Sequence, residues 1–150
     1  MMTFVEPIFL NHSWPLWEQS RQFELGHVLN SAIVDMIQPI EIGGLGPHHA
    51  GCWECDLADN SLIWSGGIYD IFGFPRGLKV DRDMAVSLYS EESRARMERL
   101  RAYAIKHKRG FTLDAEIRPE IGGHRWIRLI CAPVCNGDRV ERLHGLKLIV

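Results

Sequence analysis

The sequence predicts an α+β domain: a five-stranded antiparallel sheet, short helices and one long helix on one of its faces, and an amphipathic helical cap ahead of them. Three observations carry this. Apolar residues recur at helical spacing in an N-terminal segment and again around residue 100. Short strand-like runs fall into neighbouring hairpins on either side of the second of these helices. No strand–helix–strand alternation of the kind that builds a parallel sheet is present. At 150 residues the chain has the length of one sheet domain with an added segment. Residues 1–44 read as the helical cap and dimerisation segment, and 45–150 as the sheet domain.

The elements follow in order. In "SRQFELGHVLNSAIVDMIQP" the residues Leu25, Val28, Leu29, Ala32, Ile33, Met36 and Ile37 lie on one helical face, with Ser20 as a cap and Pro39 as a stop. "EIGGLGPHH" is loop, because Gly and Pro cluster there. "AGCWECDL" and "SLIWS" are strands joined by the turn "ADN". "GGIYDIFGFPRG" is a short helix closed by Gly73, and "DRDMAVSLY" is another helical turn. The long helix "EESRARMERLRAYAIKHKRG" has Ser90 as N-cap, acidic Glu91 and Glu92 at its start and basic residues at its end, with Gly110 expected to stop it. Met97, Leu100 and Ala104 form its buried stripe. "FTLDAEIRP", "HRWIRLICAPV" and "ERLHGLKLIV" are the last three strands, joined by the hairpin signals "GG" and "NGD".

Composition excludes several classes. A net charge of −2 gives no global attraction to nucleic acid or an anionic membrane. The basic run Arg94–Arg109 is broken up by Glu91, Glu92 and Glu98 and reads as a solvated helix face. No apolar run reaches the roughly 18 residues of a membrane span. The N-terminus lacks a basic flank and a small-residue cleavage site, so a cytoplasmic protein with reduced thiols is expected. No Ser-His-Asp order, phosphate loop or motif-placed carboxylate pair appears, so no enzyme is expected. The four cysteines invite a metal or redox reading. However, Cys52 and Cys55 in a regular strand point to opposite faces about 10 Å apart, and Cys131 and Cys135 are about 13 Å apart if extended. Neither pair sits on a turn, so they read as small apolar fillers rather than metal ligands.

The order of elements and the residues at their joints resemble a PAS domain of the subfamily that begins G-x-W-x-x-D, here Gly51, Trp53 and Asp56. The subfamily's W-S-x-G with a short aromatic helix is similar to "WSGGIYDIFGFPRG", and its helix start to "EESRARM". Its E-x-R, G-x-R-W and last-strand Gly fall on Glu116, Arg118, Gly123, Arg125, Trp126 and Gly145. The likeness covers roughly residues 50–150. Glu91 and Ser93 depart from its usual Pro and Asp. Ile149 and Val150 occupy the start of the stretch that in the family leads to an effector. The resemblance therefore implies a stand-alone regulator that binds partner signalling proteins such as histidine kinases, with control by a small ligand as an option. The alternative is a sensory input fragment of a larger histidine kinase or diguanylate cyclase.

By the same resemblance, alternate sheet residues face a pocket. Trp53, Cys55 and Ile63 are placed inward from the first hairpin, Tyr69 and Phe72 from the short helix, and Leu100 from the long one. Leu113, Ala115, Ile127, Leu129 and Cys131 are placed inward from the last strands. These residues either line a ligand pocket or simply fill a core, and Trp53 is large enough to occupy the space itself. Lys147 falls where some PAS domains put a ligand-contacting polar group. Pointing inward it needs an anionic partner, for which a carboxylate ligand is the hypothesis; otherwise it reaches solvent. The cofactor is left unknown. No Cys lies between Cys55 and Cys131 for flavin-thiol chemistry, and the haem-ligating neighbourhood "SRARM" holds no His. His107, on the stripe of Leu100 and Ala104, reads as a helix-end residue suited to the dipole rather than a haem ligand, and His48, His49 and His124 read as exposed. Trp126, Arg128 and Ile130, with Cys52 and Glu54, are placed on the outer face. There the N-terminal helix packs on its own sheet or swaps across a homodimer, and Trp14 and Trp17 either anchor that dimer or cover the monomer's own core. Glu116 and Arg118 are read as a structural ion pair.

Overall fold

The structure is a computed structural model and describes residues 11–22, 50–119 and 121–150. It contains strands β1 (Asn11–Pro15), β2 (Ala50–Asp56), β3 (Leu62–Trp64), β4 (Arg109–Ile117), β5 (Arg125–Asn136) and β6 (Arg139–Ile149). A single 3-10 turn, Leu16–Glu18, leads into α1 (Gln19–Gln22). The other helices are α2 (Gly66–Phe72), α3 (Arg82–Ser87) and α4 (Glu91–His107). The strands form one antiparallel sheet in the order β1-β4-β5-β6-β2-β3.

The sheet thus has six strands rather than five. The added one, β1, pairs Trp14 with Gly110 and lies along the free edge of β4. A side chain at Gly110 would collide with the Trp14 indole, 2.1 Å from the ideal Cβ position. The bare glycine is the seat of the ring, an aromatic covering of an edge glycine. Trp14 Nε1 donates to Thr112 Oγ1 at 3.1 Å, and Arg109 Nε donates to Ser13 Oγ at 2.7 Å. Helical backbone begins at Gln19, before Ser20, so Ser20 is not the cap. The amphipathic stripe from Leu25 to Ile37 lies outside the described residues.

The helix ends follow local chemistry. Ser90 Oγ accepts from the backbone N of Ser93 at 3.3 Å, and Asp81 Oδ1 accepts from the backbone N of Met84 at 2.8 Å. Gly73 closes α2 with φ 75°. The end of α4 is Lys108 in the left-handed region, with φ 53°. Gly110, expected to be the stop, is already inside β4. The β5–β6 hairpin turns at Asn136–Gly137–Asp138, with Gly137 at φ 61°.

Side chains alternate across the sheet. The inner face, under the helices, carries the main core: Phe111, Leu113, Ala115 and Ile117 of β4, Ile127, Leu129 and Cys131 of β5, and Leu143 of β6. The outer face carries a smaller cluster of Trp14, Cys52, Ile130, Ala132 and Leu146. Cys52 and Cys55 lie on opposite faces, and all four cysteines are on strands. The outer face also holds the fully buried Asp114, bound in two bonds by Arg128 at 2.8 and 3.1 Å. The expected Glu116–Arg118 ion pair is not formed among the described residues. The ionic bond on this part of the sheet joins register partners across β4 and β5 instead. No described helix is long and apolar enough to cross a membrane.

Candidate functional site

The motif residues at the first joint work as scaffolding. A Cβ on Gly51 would lie 2.7 Å from Ser65 Oγ and from the backbone N of Ile68, so only glycine lets α2 start against β2. Ser65 Oγ accepts from the backbone N of Cys52 at 3.0 Å. Asp56 Oδ1 accepts from the backbone N of Ala58 at 2.9 Å and shapes the β2–β3 turn. These bonds fix Trp53 and its register partner Trp64 together on the inner face.

Between that face and α3–α4 is a cavity of ≈ 50 Å³. Such a space holds about three or four water molecules, well short of a typical organic-ligand pocket of several hundred Å³. From the sheet it is lined by Trp53, Cys55, Leu62, Phe111, Leu129, Cys131, Leu143 and Lys147; from the helices and their connection by Arg82, Ala85, Val86, Tyr89, Met97 and Arg101. Most of the wall is apolar. Its charged members are Arg82, Arg101 and Lys147, all cations, with no Asp or Glu among them.

Lys147 is the central feature. It is 7% exposed and points inward. Its ammonium sits 4.8 Å from the centre of the Phe72 ring, 5.3 Å from Trp53, 5.7 Å from Trp64 and 5.9 Å from Tyr89. Four ring faces attract the charged form. Burial nevertheless lowers its pKa from 10.5 to about 7. No carboxylate pairs with it among the described residues. Arg82 is paired with Glu98, whereas the side chain of Arg101 is bonded to the neutral Asn60 Oδ1 at 3.1 Å. Arg101 also lines a second hollow beside the β2–β3 turn, together with Arg139, Arg142, Asp56 and Glu141. The buried indole N–H groups of Trp53 and Trp64 have no acceptor among the described residues. Burial pushes the thiols of Cys55 and Cys131 and the Tyr89 hydroxyl up, so none of the three adds negative charge near neutral pH.

The structure sorts the expected pocket residues. Trp53, Cys55, Leu129, Cys131 and Lys147 line the cavity, and Phe72 joins the rings around Lys147. Leu113, Ala115 and Ile127 face inward but are buried in the core beyond the wall. Leu100 is half-buried against that core, and Tyr69 turns its hydroxyl to the carbonyl of Leu78 at 3.0 Å. Ile63 is a correction. It is 65% exposed, because Trp64 and Leu62 are the register partners of Trp53 and Cys55 and take the inward places. The sequence reading missed Leu62, Phe111 and Leu143 on the sheet and Arg82, Ala85, Val86, Tyr89, Met97 and Arg101 on the helix side. The four-residue spacing of Met97 and Arg101 on α4 was the available signal.

Of the candidate interface residues, Trp14 is 1% exposed and Ile130 is buried beside it. Trp14 therefore covers its own sheet rather than a partner. Trp17 is exposed, stacked under Arg21, and Trp126 is half-buried. Leu25, Val28, Leu29, Ala32, Ile33 and Met36 lie outside the described residues. His107 and His124 are exposed; His107 lies against Tyr103, 4.3 Å between ring centres.

No protein-family model matches the chain, and no curated protein matches its sequence. Solved structures do match. The N-terminal domain of a diguanylate cyclase with PAS/PAC sensor from Marinobacter aquaeolei superposes with TM-score 0.60 at 17% identity, over 67% of this chain and 94% of that one. A sensory box histidine kinase/response regulator from Burkholderia thailandensis gives TM-score 0.59 at 20% identity, over 67% and 76%. An RNA-binding light-oxygen-voltage receptor gives TM-score 0.60 at 13% identity over 67% of this chain, which spans 29% of that protein's chain. The fold is that of a PAS domain.

Proposed function

We propose that this domain is a non-catalytic, cytoplasmic signal-sensing module. Its inner cavity receives a small metabolite, and its outer sheet face and N-terminal segment pass the state of that cavity to a partner. The partners are signalling proteins such as histidine kinases, with a homodimer as the working unit. The observation that carries this reading is the cavity itself: a mostly apolar chamber with a buried lysine for which the described residues supply no counter-charge. A buried charge of this kind is costly unless something completes it. A flavin-thiol sensor is a poorer fit, because every cysteine is on a strand and the space is small. The second reading is the input domain of a larger kinase or cyclase. It is supported by the diguanylate cyclase and histidine kinase from which two of the structural neighbours come.

A native mass spectrum of the protein as purified, with its absorbance spectrum, tests the proposal. A stoichiometric small-molecule adduct on a dimer is the expected result. A bare monomer that no metabolite in a broad thermal-shift screen stabilises would refute it.

A further inference from the structure

We infer that the cavity takes a short-chain monocarboxylate, its carboxylate drawn to Lys147 and Arg101 and its hydrocarbon stub packed on Leu129, Leu143 and Met97. This rests on the reading of the cavity as the input site and gives that site a ligand class.

Four observations converge. The wall holds three cations and no acid, so it repels a cation and gains nothing specific from a neutral guest. Arg82 already has Glu98, but neither Lys147 nor Arg101 has a carboxylate partner among the described residues. Trp53, in the same wall, carries a buried N–H that lacks an acceptor among the described residues and can donate to an anion. Buried polar groups left in this state are rare, and their partners are usually identifiable. Size and polarity then select within the anions. A space of ≈ 50 Å³ excludes nucleotides and large dicarboxylates. An apolar wall suits an anion with one charged end, whereas phosphate or nitrate needs hydrogen bonds on every side. Arg101 is shared with an outer hollow lined by Arg139 and Arg142 as well as by Asp56 and Glu141, so the cation that the cavity offers an anion is also within reach of the surface.

Propionate is the probe, titrated into the full chain at pH 6.5 and followed by calorimetry and tryptophan fluorescence. Propionamide, propylamine, nitrate and phosphate are run in parallel. Propionate is expected to bind with one site per chain, with the other four at least tenfold weaker. Lys147→Met is expected to weaken propionate at least about thirtyfold, the lower end for losing one partner of a buried charge pair. Arg101→Gln weakens it less. Near-UV circular dichroism confirms that both variants keep their packing. Propionate affinity unchanged in Lys147→Met, or nitrate or phosphate binding as tightly, overturns the inference. Propionamide or a co-purified neutral adduct in the cavity overturns the ligand class but leaves the input-site reading standing. No binding by any probe, together with a bare protein in the native spectrum, removes both.

Discussion

Replacing Lys147 by methionine should make the free protein more stable at pH 6, by a margin that shrinks on going to pH 9. The lysine titrates at 10.5 in the unfolded chain and at about 7 in the folded one, because burial disfavours its charge. The folded pKa is depressed. Its contribution to stability is therefore complete above pH 10.5 and is lost as the pH falls through about 7. Between these values the unfolded state holds a proton that the folded state has released, so wild-type stability climbs with pH. The slope approaches about 1.4 kcal/mol per pH unit, so the climb from pH 6 to pH 9 is worth about 3 kcal/mol. The surrounding rings, at 4.8 to 5.9 Å, favour the charged form and offset part of this. An expected change of about 2 kcal/mol allows for that attraction. The acidic groups facing the ammonium, Cys55, Cys131 and Tyr89, are all pushed up by burial.

Methionine matches the length of the lysine stem and carries no proton to release, so its pH curve lacks this climb. Urea unfolding of both proteins at pH 6 and pH 9, followed by tryptophan fluorescence, gives the difference, and groups common to both cancel. A gap between the two proteins that stays constant across pH would refute the reasoning. It would mean that Lys147 keeps an ordinary pKa and reaches water.

Propionate affinity should fall as the pH rises above about 7, where free Lys147 loses its proton; calorimetry from pH 6 to pH 8.5 checks it, and a flat profile contradicts the role given to the ammonium. Trp14→Ala should cost about 3–5 kcal/mol, typical of a buried aromatic, and should raise amide exchange in Asn11–Pro15, since the indole is what seats β1; protection retained there argues otherwise. Gly145→Ala should prevent soluble folding, because its Cβ would collide with the backbone oxygen of Ile130, and an Ala variant as stable as the wild type would refute this. His144, with its pKa lowered from 6.5 to about 4 by burial and by Arg142, should titrate near pH 4 by NMR. The stability that its neutral ring lends is full above pH 6.5 and disappears as the pH falls through 4, and a midpoint near 6.5 would place the ring in solvent.

Much of the sheet was legible because its signals are local and periodic. Period-two alternation in "FTLDAEI" and "WIRLICA" gave the inward and outward residues of β4 and β5, and Asn136–Gly137–Asp138 gave their hairpin partner. The failures have equally specific causes. β1 is five residues ending in Pro15, with no alternation to read. Its signal is long-range, Trp14 against Gly110, and that glycine imitated a helix stop. The true stop, Lys108, uses a left-handed backbone that its side chain does not advertise. Ile63 went to the wrong face because the β2–β3 turn, with Asn60 at φ 59°, sets a register that pairs Trp53 with Trp64. The helix side of the cavity was largely unread. Arg82 and Arg101 look like ordinary surface arginines until the fold closes α3 and α4 over β5 and β6. For Lys147 the inward parity was readable, but the rings that enclose it come from β2, β3, α2 and the α3–α4 connection.

Lys147 also explains how a small guest could be noticed from outside. Its strand neighbours Leu146 and Leu148 point the other way and belong to the outer cluster with Trp14, Cys52 and Ile130. Across the sheet it pairs with Gly51 on β2 and Leu129 on β5. Gly51 has no side chain to absorb a shift and lies directly under the start of α2. On either side of Lys147, then, any movement of its backbone falls on tightly packed groups. Under the proposed reading, an anion that draws the ammonium away from its rings trades four aromatic contacts for an ion pair. The strain of that exchange is carried by β6 itself, whose opposite face packs Leu146 into the outer cluster with Trp14 of β1. A sheet only one strand thick leaves no layer between input and output. The coupling therefore needs no chain of intermediates, only the alternation of side chains that built the sheet in the first place.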